Sequence, residues 1–595
     1  MLSQLDSKRQ WRRYLTWDLE WVPGAMTLRL CGVYDGNRYR CYQSIEAFLA
    51  GELTSKNRGC WFYARAGGLA DMLFVYEKII GLCRVKGYHV KSSFSGSSAI
   101  LVTIRQGKNC WHFIDSYWTF RDKLSNIGKS LGMEKGGIEE VDESTLTEKQ
   151  FIAHEKKKRK WFATVPLLEL MDYNAHDCII LWNALQRFEL TLWELGGQLQ
   201  KTIASCGMNL IRRRFLKRNI VTNGDANRDS RDAYFASRVE VYERNVQEGM
   251  YYDINSSFPF AMTHSLPGEC THMGYGRLPD HGHYIANVEV EMPDTFLPPV
   301  PYRNDGRVFF PLGKWKTWLS SIDIRLLERE GGRIHRVEDV YYFEEWKDLR
   351  QYVNAIYDLR ENTDDEFQRI VYKYLLNCPY GKFAESPFKS QMVIDPDKIT
   401  PTMELIFPGV WLEETEVPVP HMHVPVSVFI TALARKRIYD FMSACGEFHY
   451  CDTDGFSTTE QLPTAKTLGK LKLEKIIGGN TIYHAPKIYH LEGKQLKGGE
   501  WKKVVLNRAK GFSRMTTERL FKLLDGGEIK YTRMLRVKEQ YRRGAIRPEE
   551  REVTKKLSKE TIPKRFMYPD GHTRPWHVRE LTGRLVKSRY TRRKQ

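Results

Sequence analysis

Apolar and polar positions along the chain change their period several times, and each change marks a different kind of element. Tyr14–Trp21 is a run of large apolar residues broken at Thr16, Asp18 and Glu20, the alternation of a strand with one polar face. Asp71–Leu82 and Asp172–Leu190 repeat apolar residues at helical spacing. Strands alternating with helices predict an α/β domain over residues 1–190. Gly196–Asn245 is basic and weakly patterned, and a short strand, Gly249–Ile254, then runs into Asn255–Pro259. Residues 265–345, rich in Gly, Pro and His, read as an irregular insertion of short strands. A helical pair follows. Asn362–Asp365 breaks it, and Thr363 with Glu366 predicts a capping box that starts the second helix, Glu366–Asn377. There Phe367, Ile370, Val371, Tyr374 and Leu375 share the apolar face, while Arg369, Lys373 and Asn377 lie opposite. Pro396, Pro401, Pro408, Pro418 and Pro420 punctuate residues 387–420 around strand-like Met403–Phe407 and Val410–Leu412. That pattern predicts a stiff hairpin arm standing off its domain. Residues 515–595 are charged and end in a basic tail, Lys587–Gln595.

Composition narrows the class. The 595 residues are 42% hydrophobic and 12% aromatic, enough for several packed domains, which excludes wholesale disorder. Lys plus Arg is 92 against 73 for Asp plus Glu, a net +19 for which a polyanion such as nucleic acid is the first partner to consider. Eleven scattered cysteines without a C-x-x-C pair argue against a disulfide framework or zinc ribbon and for a reducing compartment. Met1–Arg13 lacks the apolar core of a secretory signal. The longest apolar stretch, Val424–Ala434, is too short to span a bilayer and is interrupted by Pro425 and Ser427. The chain is therefore expected to be soluble and intracellular, with no membrane partner. Lys156–Lys160 reads as a solvated or DNA-facing patch. His281, His283, His421 and His423 lack companion ligands at metal spacing and read as surface or packed histidines.

Carboxylates change the picture further. Asp18 and Glu20, two apart on a strand, point to one face, and acids converging in an apolar setting repel unless a cation joins them. Their oxygen ligands favour Mg²⁺ or Mn²⁺. Asp452 and Asp454 form a similar pair, which the turn signal Asp454-Gly455 places at a hairpin tip. Asp253 adds an acid at a strand end, and the row Arg369, Lys373, Asn377 leading into Cys378-Pro379-Tyr380-Gly381 suits a triphosphate.

These segments carry a resemblance. Asp253…Pro259 resembles the D-x-x-S-L-Y-P motif of family B DNA polymerases, Lys373…Gly381 their K-x-x-x-N-S-x-Y-G, and Tyr450…Gly455 their Y-x-D-T-D-S, all in the family's order. Lys487-Ile488-Tyr489 fits the K-x-Y motif that follows. The short chain, the exonuclease-like start and the long insertions look most like the protein-primed branch of small linear-genome phages, linear plasmids and adenoviruses.

The resemblance implies an α/β and α+β multidomain chain, an RNase H-like 3′-5′ exonuclease domain followed by a right-hand polymerase. The divisions it implies are exonuclease 1–190, palm 191–264 and 421–514, fingers 346–386, and thumb with basic tail 515–595. The insertion 265–345 would contact a priming protein, and the insertion 387–420 would serve strand displacement and processivity. Two Mg²⁺ ions, or Mn²⁺, per site would be held by Asp253, Asp452 and Asp454 in the polymerase site. In the exonuclease, Asp18, Glu20, Asp71 and Asp177 would hold them, with Tyr173 orienting water. Arg369 and Lys373 would grip the triphosphate, and Lys487 with Tyr489 the primer strand. Ile254, Asn255, Ser256, Ser257, Phe258, Asn377 and Tyr380 would frame the nucleotide, and Ser116, Tyr117, Phe120 and Gly381 would touch DNA. Ala66 stands where the exonuclease motif expects Asn, Phe258 where the family has Tyr, and Gly455 where it has Ser. The implied partners are template and primer DNA, dNTPs and a terminal priming protein, the chain acting as a monomer in the cytoplasm of a host cell. A polymerase using nucleic-acid or self-made primers and a catalytically silent DNA-binding relative are the alternatives.

Overall fold

The computed structural model describes residues 1–68, 70–96, 98–137, 141, 146–512, 515–541, 543–544, 547–558 and 564–582. The basic tail Lys587–Gln595 lies outside them. Among the described residues no helix is long and apolar enough to cross a membrane.

The acidic strand, Tyr14–Val22, lies inside a ten-stranded sheet. Leu15, Trp17 and Leu19 point into an apolar core shared with Phe62, Phe113 and the helix Asp71–Lys86. Thr16, Asp18 and Glu20 turn to the other face, where the helix Leu167–Glu194 lies and Thr16 donates to the Cys178 carbonyl at 2.8 Å. Alternation along one strand thus separates a greasy face from an acidic one.

The sheet does not end with the N-terminal third. Its outer strands are Phe388–Ile394, Val410–Glu416 and Met403–Phe407, and Gln391–Ile394 pairs antiparallel with Val90–Ser93 of the strand His89–Ser95. Residues 387–420 are therefore annealed to the edge of the first domain and do not stand off as an arm. Met392, Ile394 and Val410 enter the same core as Trp17 and Val90, and that burial holds the hairpin down.

A seven-stranded antiparallel sheet forms the middle of the molecule. Its strands run in the order Glu500–Ala509, Ile488–Lys497, Leu471–Ala485, Asn245–Ile254, Gly455–Thr458, Tyr450–Asp452, Val239–Val241. The apolar stretch at Val424 is the start of a helix, Val424–Met442, with Pro425 in its first turn, where a missing N–H is harmless. Val424, Val426, Val428, Phe429 and Ile430 are all fully buried, so the run is core.

Residues 265–345 are more regular than expected. They form a four-stranded antiparallel sheet, Leu266–Tyr275, Arg333–Trp346, His283–Met292, Gly313–Ser320, with a helix Ser321–Arg329. Short polar loops disguised long strands. A buried two-pronged ion pair, Arg435 to Asp323 at 2.9 and 3.1 Å, fastens this unit to the core helix. The segment 196–245 also holds two helices, Ile203–Leu210 and Gly224–Ala233.

The helical pair is Asp348–Asn362 and Glu366–Asn377. Its second helix is capped by Asp365, whose carboxylate accepts from Gln368 N at 3.1 Å, in place of the expected Thr363–Glu366 box. Thr363 caps nothing, because its hydroxyl accepts from the Asp365 N–H and so sets the turn before the helix. Beyond residue 515, a helix Thr517–Leu524 and the hairpin Glu528–Met534/Glu550–Lys556 lean on the first domain through Arg519–Glu148 at 2.7 Å and Arg159–Glu550 at 3.0 Å. Arg159 of the basic run is therefore paired, not merely solvated.

Candidate active sites

Two clefts gather the acids. The first is a cavity of about 590 Å³ lined by Asp18, Glu20, Asp71, Tyr173 and Asp177 together with Arg65, Ala66 and Lys135. Strand and helix position these groups separately. Asp71 opens its helix, and Tyr173, Asn174 and Asp177 share a segment of the helix that covers the acidic face of the strand. The Asn174 amide donates to Asp18 Oδ2 at 3.1 Å and to Glu20 Oε1 at 3.2 Å, while its carbonyl oxygen accepts from the Tyr39 hydroxyl at 3.0 Å. One neutral side chain thus holds two like charges together.

The electrostatics match. Burial and then the Asp177 charge push Asp18 up to about 7. Glu20 rises through burial and Asp18, and Asp71 through burial, Asp18 and Asp115. Asp177 is raised by burial against the opposing pull of Lys135, whose ammonium lies 2.9 Å from Asp177 Oδ2 and over the Tyr173 ring. Among the described residues Asp177 Oδ1, which is buried, has no hydrogen-bond partner. A set of mutually repelling carboxylates with a spare oxygen is what a divalent cation fits.

The second cleft, of about 890 Å³, is lined by Asp253, Asn255, Ser256, Lys373, Asn377 and Asp454, joined by Tyr357, Arg360, Lys472, Glu474 and Trp501. Asp253 sits in register with Gly455 on one side and Lys472 on the other, so the backbone ladder alone brings it beside Asp454. Thr453, at φ 68°, makes the tight turn between Asp452 and Gly455. Burial and then the charges of Asp253 and Asp452 push Asp454 up to about 7. Asp253 is raised by burial, with Lys472 opposing at 2.9 Å. Asp452, which is not among the residues lining the cleft, pairs with Lys487 Nζ at 3.0 Å. Among the described residues no three His, Cys, Asp or Glu side chains already form a closed metal-binding group; a lysine sits on Asp177 in the first site, and lysines sit on Asp253 and Asp452 in the second. Asp253 with Asp454, and Asp18 with Glu20, Asp71 and Asp177, supply the oxygens that could hold metal.

Ser256, at φ 50°, turns the chain into the helix Ser257–Met262, and two residues on the Phe258 ring stacks on Tyr380 at 4.2 Å with 1° between planes. Tyr380 lies near enough that the Asp454 charge, after burial and Cys378, helps raise its phenol. Ile254 is a core side chain that reaches the cleft at a strand end, and Ser257 is buried. A Cβ at Gly381 would meet open space.

Several expected roles shift. Arg369 donates to the Thr363 carbonyl at 2.6 Å and does not line the cleft, since the turn before its helix offers the nearer acceptor. Arg360, 3.2 Å from Ser256 Oγ, stands there instead. Tyr489 packs among Tyr450 and Tyr483 at ring distances of 5.6 and 5.7 Å. Phe120 is not placed to touch DNA: only 2% exposed, it lies between Phe188 and Phe367 in the core. Ser116 is buried too, and Tyr117 alone of the three is exposed. His283 and His423 are packed, against Phe429 and the Gly268 carbonyl, and His421 bonds Glu385.

Sequence reasoning missed Lys135, Asn174, Arg360 and Lys472. Only Asn174 had a local signal, its place inside Tyr173…Asp177 on the helix.

Comparisons with known proteins give the family and the fold. Residues 113–423 match the family model described as DNA polymerase type B, organellar and viral. A probable DNA polymerase of Neurospora intermedia is 26% identical over 414 residues, 63% of this chain and 42% of that protein. The chain spans less than half the length of the fungal relatives it matches. The DNA-directed DNA polymerase of Enterobacteria phage PRD1 is 22% identical over 457 residues, 71% of this chain and 72% of that one. Among solved structures, phi29 DNA polymerase in complex with primer-template DNA and incoming nucleotide superposes with a TM-score of 0.68. The alignment covers 92% of this chain and 100% of that one at 18% identity. The fold is accordingly the mixed α/β multidomain fold of phi29 DNA polymerase.

Proposed function

Because the chain belongs to the organellar and viral type B DNA polymerases, we propose that it is a DNA-directed DNA polymerase with a 3′-5′ exonuclease. It would be the protein-primed replicase of a linear replicon. The observation that carries the polymerase reading is the register that sets Asp253 beside Asp454 at one end of a cleft whose other walls hold Lys373 and Arg360. Two acids that repel, facing two cations, form a cradle for a triphosphate with its metal.

Asp253 and Asp454 would hold divalent cations, which when bound lower the pKa of the primer hydroxyl and shield the triphosphate. The chain's own residues do the rest. Lys373 and Arg360 orient the phosphates, Phe258 stacked on Tyr380 closes the floor under the sugar and base, and Lys487 balances Asp452 beside the primer. In the other cavity Asp18, Glu20, Asp71 and Asp177 would hold metal, Lys135 pulls against the burial that raises Asp177, and Tyr173 orients water. The seven-stranded sheet serves as palm, the 348–377 helices as fingers and the segment from 515 as thumb. The insertion 265–345 offers a surface for a priming protein, and the 388–416 hairpin flanks the DNA path.

Extension of a primed template with Mg²⁺ and dNTPs tests the reading, with Asp253→Ala and Asp454→Ala as controls. Close to wild-type extension in either variant would defeat it. Primer-free incubation with one labelled dNTP and candidate terminal proteins tests priming, read as covalent nucleotidylation.

A further inference from the structure

A further cavity of the first domain, of about 470 Å³, shares no lining residue with either acid cleft. The start of the strand Tyr14–Val22 and the far end of the helix Leu167–Glu194 wall it. Glu189, at its base, lies twelve residues beyond Asp177 on that helix, about 18 Å along the axis.

Glu189 is a buried acid that neither site uses. Only 4% exposed, it accepts from the Arg12 N–H through Oε1 at 2.9 Å, and among the described residues Oε2 has no partner. Burial, against the opposing pull of Arg12, pushes it up to about 7. A carboxylate offers about four lone-pair sites, so most of the capacity of this one is unused. Burying it half-satisfied is costly unless donors arrive from a ligand. Asp35, the other acid of the wall, is already taken by Arg40 and by the Asn37 and Arg38 N–H groups.

Cations and rings complete the wall. Arg12 Nε is buried and has no hydrogen-bond partner among the described residues, and its guanidinium, after burial, helps lower the Lys201 ammonium. Arg13 donates to the Lys56 carbonyl at 2.9 Å, which gathers two more exposed positive groups. Trp11, 50% exposed, stacks on Trp193 at 4.2 Å, and Tyr14 and Trp182 line the same cavity with their rings 6.2 Å apart. A ligand that suits this wall is flat, carries an anionic group and presents hydrogen-bond donors to a carboxylate. Guanine has two neighbouring donors, N1–H and the 2-amino group, that a carboxylate takes as a pair. Adenine, cytosine and thymine present no two neighbouring donor atoms on one edge. The volume is in the range for a single small ligand and suits one nucleotide.

We propose that this cavity binds a free guanine nucleotide, its base against Trp11 with N1–H and the 2-amino group on Glu189, and its 5′-phosphate on Arg12, Arg13 and Lys56. The inference goes beyond the polymerase–exonuclease reading and does not depend on it.

The test is equilibrium dialysis of labelled guanosine 5′-monophosphate against the full chain in EDTA, without DNA. AMP is expected to bind at least about tenfold more weakly than GMP, with IMP, which lacks the 2-amino group, between them. Glu189→Gln keeps an oxygen for the Arg12 N–H but loses the charge, and should weaken GMP about tenfold while leaving AMP unchanged. Trp11→Ala, at an exposed ring, gives a second variant should Glu189→Gln unfold, and should weaken both nucleotides. Lys56→Gln should narrow the difference between GMP and guanosine. Lys373→Ala should leave GMP binding as it is, because that lysine stands in the other cleft. No binding by the wild type at about 1 mM, equal affinity for GMP and AMP, or wild-type affinity in both Glu189→Gln and Trp11→Ala would each overturn the site. Loss of binding in Lys373→Ala would place the nucleotide in the polymerase cleft and overturn it too. Stronger competition by an oligothymidylate bearing one guanine than by free GMP would overturn the free nucleotide as its occupant.

Discussion

Asp253 and Lys472 are register partners on adjacent antiparallel strands, and their side chains close an ion pair of 2.9 Å in the cleft. Lys472 also reaches Glu474 at 3.0 Å, so the lysine is shared between two acids. A metal ion bound by Asp253 would displace this ammonium. Lys472→Met is accordingly expected to leave extension possible but to lower the Mg²⁺ concentration needed for half-maximal rate, by roughly two- to tenfold at modest salt. A metal titration of single-nucleotide addition checks it, and a raised requirement would refute it.

The raised acids make stability depend on pH. Asp454 and Asp18 are each pushed from 3.8 to about 7. A carboxyl with a folded-state pKa above its unfolded one binds its proton more tightly in the fold. Its stabilising contribution is present at low pH and is lost as pH rises from about 3.8 to about 7. Metal-free protein in EDTA should therefore show a falling thermal midpoint across that window, and Mg²⁺ added above about pH 7 should recover it. Asp454→Asn with Asp18→Asn should flatten the dependence. A wild-type profile as flat as the variant's would show that the acids do not repel as described.

Asn174 holds Asp18 and Glu20 from one amide. Asn174→Ala should cut 3′-end degradation about tenfold or more, in the range for groups that orient metal ligands, while polymerisation continues. Asp18→Ala with Glu20→Ala should eliminate degradation. Timed digestion of a 3′-labelled single strand separates the two outcomes, and a parallel loss of extension would show that the sites are not independent.

Phe258 and Tyr380 lie face to face. Phe258→Val removes a ring proposed to lie beside the sugar, so ribonucleotide incorporation relative to dNTP is expected to rise about tenfold or more. Single-nucleotide insertion of matched dNTP and rNTP measures the ratio. An unchanged ratio would move sugar selection elsewhere.

Ala66 adopts φ 56°, a region that favours Gly and Asn. Ala66→Asn should stabilise the first domain by about 0.5–1 kcal/mol, whereas Ala66→Val should destabilise it. Urea unfolding followed by the tryptophans of that domain would show the opposite order if the turn were unstrained.

The acids that lie near one another in sequence were legible there. Asp18 with Glu20 on a strand face, Asp452 with Asp454 at a turn, and Tyr173 with Asp177 on a helix each follow from a local period. Groups brought in by distant pairing were not. Lys472 meets Asp253 only through strand register, and Lys135 comes from a segment without a pattern of its own. Phe120 looked like a ligand because its burial depends on Phe367, far along the chain. Arg369 had the right helical phase for the cleft, but a closer carbonyl at Thr363 captured it. The hairpin at 388–416 carried a correct strand signal, yet nothing local said which edge it would cover.

That edge has a consequence for biosynthesis. Gln391 and Ser93 bond across 298 positions, so the first domain waits for its last strands until well over half the chain has been made. At ~5–20 residues per second this is an interval of roughly 15–60 s on the ribosome. Through it the strand His89–Ser95 is paired only on its inner side, to the strand Ser98–Gln106, and the backbone donors and acceptors of its outer edge stay open to any passing strand. A fragment ending near residue 190 would keep that open edge permanently and is expected to precipitate. The nascent chain would escape the same fate by being finished.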